Sequence, residues 1–356
     1  MVHCLELAGI TVARIGPLER RVHPLTRVRQ LQAKVHGQGY PLDRDPHVTR
    51  GYAAEVQERL KSVPCDFVFS SATIPIAYLQ PGPPLVLWTG TTFAAMLHFY
   101  PDYSSLSRRA IQVGMELDTL ALERASVAFY ASEWAARSAV RDHGADPRNV
   151  EVVPYGANMP ITYTRDELAG IVLRRPSDRC RLLFVGLDWT RKGGDRAVEI
   201  ARLLNEQGLP TELHVVGSAP HPATELPTYV HVHGFVDKST TAGAARMRHL
   251  FEASHFLVQP VTAEAFGVVF CEAAGHGVIS LASRVGGIPS AVREGVTGAL
   301  FDVHASIEEY ADFVRRAMED RNRYEAMALR AFDEYKRNLN WEVQAKRVGA
   351  RLADVA

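Results

Sequence analysis

Residues 181–204 read RLLFVGLDWTRKGGDRAVEIARLL, and this stretch decides the fold. The run Leu182–Val185 is continuously apolar rather than alternating, which marks a strand covered on both faces, as in a parallel sheet between helical layers. A glycine-rich turn follows over 186–194. Asp195 reads as the N-cap of an amphipathic helix through Ala197, Val198, Ala201 and Leu204 that closes before Gly208. Strand, glycine turn and helix form the repeating unit of an α/β sheet. The same unit recurs along the chain. Strands are expected near 9–15, 65–70, 84–89, 126–131 and 149–154, then near 181–186, 212–217, 229–236, 255–260, 278–283 and 299–302. The fold class is therefore α/β with two doubly wound domains. The break falls at PYGANMP (154–160), giving expected domains 1–158 and 159–338 and a last segment, 339–356. Open sheets of this kind bind ligands beyond the carboxyl ends of their strands, so two of them facing one another would form an interdomain cleft.

Composition narrows the function. The 356 residues carry 40 Lys+Arg against 40 Asp+Glu, balanced within each half, so no single-sign field is available to displace counterions from nucleic acid. Four cysteines at 4, 65, 180 and 271 form no CxxC pair, which points to a reducing, cytoplasmic setting. No apolar window is long and uninterrupted enough to span a bilayer. The opening MVHCLEL lacks the charged and apolar regions of a signal peptide.

Two segments carry chemistry. In TAEAFGVVFCEAAG (262–275), a helix starting near Phe266–Gly267 would present open backbone N–H groups and a positive dipole end, suited to phosphate. Glu264 precedes that helix and Glu272 lies within it among Val268, Val269 and Ala273. A carboxylate on so apolar a helix needs hydroxyl or cationic donors, and a ribose diol would supply them; capping and surface roles are the alternative reading. In the turn 186–195, Arg191 offers a planar fork and Lys192 a mobile point charge, together suited to both phosphates of a diphosphate; a solvated basic loop is the alternative. The turn RVGGIP (284–289) reads as structural. No GxxxxGK[ST] or GxGxxG cradle is present.

Weaker signals have structural readings. Asp43-Arg44-Asp45 is formally a DxD metal–nucleotide motif, but it lies in turn chemistry and reads as a solvated loop. His231 and His233 share one strand face without a third ligand at suitable spacing. Arg108 and Arg109 open a helical pattern over 104–124 and read as a solvated face with at most a weak peripheral contact to anionic lipid.

Taken together, the second half resembles the retaining glycosyltransferases of the GT-B fold, the large group 1 family with an E-x7-E element. The resemblance rests on Glu264 to Glu272 in EAFGVVFCEA, supported by RKGG (191–194), VGSAP (216–220), HGFV (233–236), RVGGIP (284–289) and PYGAN (154–158). It implies two Rossmann-like domains and a last helix after LNWE (339–342) that packs back on the first. It assigns Arg191, Lys192 and Glu264 to catalysis, the cations neutralising the diphosphate and Glu264 holding donor-sugar hydroxyls. It further gives Glu272 the ribose, the amides of Phe266, Gly267 and Val268 the distal phosphate and sugar, and Gly234, Phe235 and Val236 the base. Thr91, with Thr92, stands near the place of the family's sugar-contacting histidine, and His98 follows.

The implied activity is metal-independent transfer of a sugar, with retention, from a nucleotide-diphosphate sugar to a glycan, lipid-linked or small-molecule acceptor, with no cofactor and no nucleic-acid partner. A nucleotide-sugar-binding protein with impaired catalysis and a nucleotide-sugar 2-epimerase are the alternatives. Leu187 and Ser290 replace the family's usual Arg and Glu. The family also begins with a strand and a glycine-rich loop, whereas MVHCLELAGITVARIG reads as the end of a first helix and a second strand.

Overall fold

A computed structural model describes residues 1–217 and 225–355, which divide into two compact units. Unit 1 comprises residues 1–153 with 345–356, and unit 2 comprises residues 154–344. The helix Trp341–Ala353 supplies residues to both.

Unit 1 holds a four-stranded sheet in the order β1 (Val68–Ser70), β2 (Leu85–Thr89), β3 (Ala125–Tyr130), β4 (Val150–Val152), with every pairing parallel. Leu85–Trp88 are all buried, as a continuous apolar run requires when helices cover both faces. The expected strand at 9–15 is not formed. Residues 10–23 are irregular, their apolar side chains only partly covered, and among the described residues no neighbouring strand offers them a ladder. Ile15 and Leu18 nevertheless pack onto the unit 1 core.

Asp43-Arg44-Asp45 also corrects the sequence reading. Asp43 is exposed, but Asp45 is fully buried and caps the helix Pro46–Leu60. Its carboxylate accepts from Thr26 Oγ1 at 2.8 Å, Tyr40 OH at 2.6 Å, the His47 N–H at 2.9 Å and Arg29 at 3.0 Å. Burial pushes this carboxyl up, but the donors outweigh it and hold it below the usual range. The middle residue, Arg44, is spent on a second buried acid, Asp118, at 3.1 Å. The motif is a structural knot joining the helix Pro24–Val35 to the helix Pro46–Leu60.

Unit 2 holds β5 (Cys180–Gly186), β6 (Thr211–Gly217), β7 (Val230–Val232), β8 (Phe256–Gln259), β9 (Ile279–Ser283) and β10 (Gly298–Phe301), paired in parallel in the order β10-β9-β8-β5-β6-β7. Winding reverses between β5 and β8. Loops leaving those two strands therefore diverge at a switch point on the carboxyl edge.

Asp45→Ala should destabilise the protein by about 2–4 kcal/mol, through a lost cap and an unpaired Arg29. Asp43→Ala, at the surface, should change stability by less than about 0.5 kcal/mol. Urea titrations distinguish the two. Because the folded carboxyl lies below its ordinary value of 3.8, the Asp45 contribution should be fully present above that pH and fade below it.

Candidate active site

The two loops at the switch point are joined directly: the Thr262 N–H donates to the Arg191 carbonyl at 2.9 Å. After β5, Asp188 caps the short helix Trp189–Lys192, and Gly193 closes it at φ 79. A Cβ at residue 193 would stand 2.2 Å from the Pro260 carbonyl oxygen, so glycine lets this loop lie against the exit of β8. Asp195 is not the N-cap expected from the sequence. Gly193 occupies that place before the helix Gly194–Glu206, because the chain turns into it from a left-handed residue, and Asp195 accepts from Trp189 Nε1 at 2.8 Å.

Arg191 and Lys192 are not splayed into solvent; their side chains are 21% and 13% exposed. The Arg191 guanidinium donates to Asp188 at 3.1 Å and to the Ala263 carbonyl at 2.8 Å, and lies 3.6 Å from Glu264. The Lys192 ammonium donates to the Glu264 carboxylate. Its stem lies over the end of β5, where a Cβ on Gly186 would come within 2.9 Å of Lys192 Cγ.

After β8, Phe266 is buried and meets the Tyr155 ring edge-on at 5.5 Å, which anchors the loop. Gly267, at φ 81, begins the helix Val268–Gly275, and no side chain caps that end. Glu264 Oε1 stands 3.5 Å from the Phe266 N–H, upstream of the helix. The capping reading of Glu264 therefore fails, and its carboxylate is turned toward Lys192. Gly287 of the RVGGIP turn donates its N–H to the Glu264 carbonyl at 3.1 Å and braces the loop from behind.

Glu272 is 1% exposed, so the surface reading of this carboxylate also fails. Lys238 pairs with it at 2.5 Å. Burial pushes the Glu272 carboxyl up, while Lys238 and the Asn158 N–H pull it back. Lys238 follows the loop Gly234–Val236. That loop is fixed by the Gly217 N–H donating to the Gly234 carbonyl at 2.9 Å, and Phe235 stands 70% exposed beside Val236. At the far end of the helix Val268–Gly275, the buried Arg175 donates to the carbonyls of His276 and Gly277, each at 2.7 Å. A cation there suits the negative end of the helix dipole.

The unit 2 residues singled out from sequence thus gather on the carboxyl edge, whereas Thr91 belongs to unit 1. There its hydroxyl donates to the Thr92 carbonyl at 3.2 Å, and Thr92 caps the helix Phe93–Met96. Ser218–Pro220 of VGSAP lie outside the described residues. His214, which sequence reading passed over, stands 3.0 Å (Nδ1 to Nε2) from His233 and stacks on it, while its ring is tilted against that of His231. Among the described residues no group of three His, Cys, Asp or Glu side chains is placed to hold a metal ion. Lys238 and Arg175 were missed because nothing in a loop lysine or an RRP triplet says which buried group it will meet.

The family signature described as Glycosyl transferases group 1 matches residues 171–334. Those residues belong to that family. The chain is 31% identical over 231 residues to the D-inositol 3-phosphate glycosyltransferase of Thermomonospora curvata, covering 60% of this chain and 53% of the relative. It therefore spans about half the length of the curated relatives it matches. Among solved structures, the sucrose-phosphate synthase of Thermosynechococcus elongatus superposes with a TM-score of 0.67 at 17% identity, over 86% of this chain and 78% of that one. Alr3699/HepE of Anabaena, solved in complex with UDP and glucose, gives 0.61 at 16% identity, over 85% and 80%. The shared fold is GT-B, with two Rossmann-like units. The E-x7-E element of this group 1 domain is thus Glu264 on the loop and Glu272 on the helix, each held by a lysine.

Lys238→Ala should cost about 3–5 kcal/mol at neutral pH, because it strands a buried carboxylate. The same change should cost far less in a Glu272→Gln background. Glu272→Gln alone should raise the thermal midpoint. With the folded carboxyl above its ordinary value of 4.5, ionising Glu272 costs stability as pH rises past that value, so the gain should shrink as pH falls toward 4.5. Scanning calorimetry across pH reads both effects.

Proposed function

We propose that the protein is a retaining glycosyltransferase that takes a sugar from a nucleotide-diphosphate donor without a metal. The observation that carries this reading is the meeting of Arg191, Lys192 and Glu264 with the uncapped start of the helix Val268–Gly275, at the carboxyl ends of two adjacent strands. In this reading the diphosphate competes with Glu264 for Lys192. The released carboxylate then turns to the hydroxyls of the donor sugar, and amides of Phe266, Gly267 and Val268 take the distal phosphate. Glu272 accepts from the ribose, with Lys238 opposing the upward push of burial on its carboxyl. Gly234, Phe235 and Val236 flank the base.

As the glycosidic bond breaks, the electron pair passes to the leaving diphosphate oxygen. Cations and helix-end amides aimed at that growing charge lower the barrier, and each such donor is worth about 2.7–4 kcal/mol. The diphosphate, on the same face as the acceptor, can receive the acceptor's proton, which accounts for retention. Two fixed cations supply the charge that a divalent metal would otherwise bring. The neighbour with bound UDP and glucose supports a uridine donor, and the names of the curated relatives make an inositol phosphate the first acceptor to test.

UDP-glucose and UDP-N-acetylglucosamine, incubated with and without D-inositol 3-phosphate in the presence of a chelator, should give a glycoside with an unchanged anomeric configuration by proton NMR. A new nucleotide sugar formed without acceptor would instead identify an epimerase. Lys192→Ala should lower kcat about 10²–10³-fold; undiminished turnover would overturn its role. A saturating nucleoside diphosphate, at 100 times its Kd, should stabilise the protein by about 2.7 kcal/mol, and a thermal-shift panel of UDP, GDP, ADP and TDP would identify the base.

A further inference from the structure

The helix Pro24–Val35 in unit 1 is mounted with its apolar stripe outward. A surface helix normally turns that stripe to the core. Here the buried residues are Thr26 and Ala33, while Leu25, Val28, Leu31 and Val35 are 51%, 50%, 64% and 76% exposed. At about 100° per residue these four fall within an arc of about 120°, opposite the buried pair. The orientation is enforced, because Thr26 and Arg29 are both bonded to the buried Asp45. Contiguous exposed apolar groups of this kind mark a docking surface.

Charge states what docks. From Arg20 to Leu42 the chain has five Lys+Arg and no Asp or Glu. Arg20 and Arg21 are met by Asp43 and Glu19. Arg27 and Lys34 are exposed, border the apolar stripe, and have no ion-pair partner among the described residues. On its other border, Arg29 lines a cavity of about 220 Å³ with Arg50, Arg109 and His47, where Glu116 is the one acid. Arg109 thus joins the same face from the helix Arg108–Arg124. A second copy would bring like charges together. An anionic lipid surface matches both the apolar stripe and its basic borders.

We propose that this face is a peripheral membrane anchor. The helix Pro24–Val35 lies in the headgroup layer of an anionic bilayer, with Leu25, Val28, Leu31 and Val35 against the acyl chains and Arg27, Lys34, Arg50 and Arg109 on lipid phosphates, while Arg29 stays on Asp45. This is independent of the transfer reaction, and its test uses no sugar donor.

The full chain should float with vesicles made of equal parts phosphatidylcholine and phosphatidylglycerol, stay behind with phosphatidylcholine alone, and be released by salt. Leu31→Glu with Val35→Glu should abolish flotation. Arg27→Gln with Lys34→Gln should weaken partitioning about 25-fold, at about fivefold per basic residue. All four positions are exposed, and circular dichroism with thermal melting checks that each pair of changes leaves the fold intact. Failure of the wild type to float with anionic vesicles would overturn the proposal, as would equal binding to neutral ones or flotation of the Leu31→Glu/Val35→Glu protein. Sedimentation equilibrium showing a dimer that this same pair splits would assign the face to a second copy instead.

Discussion

An ionised carboxylate cannot be held inside an apolar shell unless a cation or several donors meet it, and the carboxyl edge of unit 2 is organised around that constraint. Glu272 is enclosed by the helix Val268–Gly275, and Lys238, arriving after β7, compensates it. Glu264 stands on the loop after β8, and Lys192, arriving after β5, compensates it. Each ion pair therefore links segments that follow different strands. The charges that hold this edge together are the ones that the proposed reading assigns to a diphosphate sugar, and in that reading donor binding is an exchange of partners. Neither lysine has to be ordered from bulk solvent when the donor arrives, which favours preorganised stabilisation of the leaving group.

The same logic recurs in unit 1. Asp45 and Asp118 are both buried and both saturated with donors. Asp45 fixes the helix Pro24–Val35 by its polar side and leaves the apolar side turned out. A helix held by a buried acid rather than by its own apolar face is unusual, because most helical stability comes from packing an amphipathic face. The exposed stripe is thus a consequence of where the donors lie, and its borders at Arg27, Lys34, Arg50 and Arg109 are basic on a chain whose net charge is zero.

The strands of unit 2 were legible because continuous apolar runs and glycine turns leave few alternatives, and the start of the helix at Gly267 was legible for the same reason. The segment 9–15 misled: its Val, Ile and Thr suit a strand, but a parallel strand exists only where a neighbour supplies its ladder. Asp195 misled because Asp is a good N-cap, yet Gly193 entered the helix first and took the position. Asp45 misled because a charged residue between prolines reads as a loop, and only the arrival of Thr26, Arg29 and Tyr40 made its burial tolerable.

Local pattern by itself determined the α/β class, the positions of ten strands and the two segments that converge at the switch point, since periodicity and turn chemistry act over a few residues. Tertiary structure alone decided the partners of the site charges: Lys238 for Glu272, Lys192 for Glu264, Arg175 for the end of the site helix. It also decided which side of the helix Pro24–Val35 faces water. The physical reason is range. A backbone preference is set by neighbours in the chain, whereas the cost of a buried charge is settled by whichever group the fold brings within a few ångströms, often dozens of residues away.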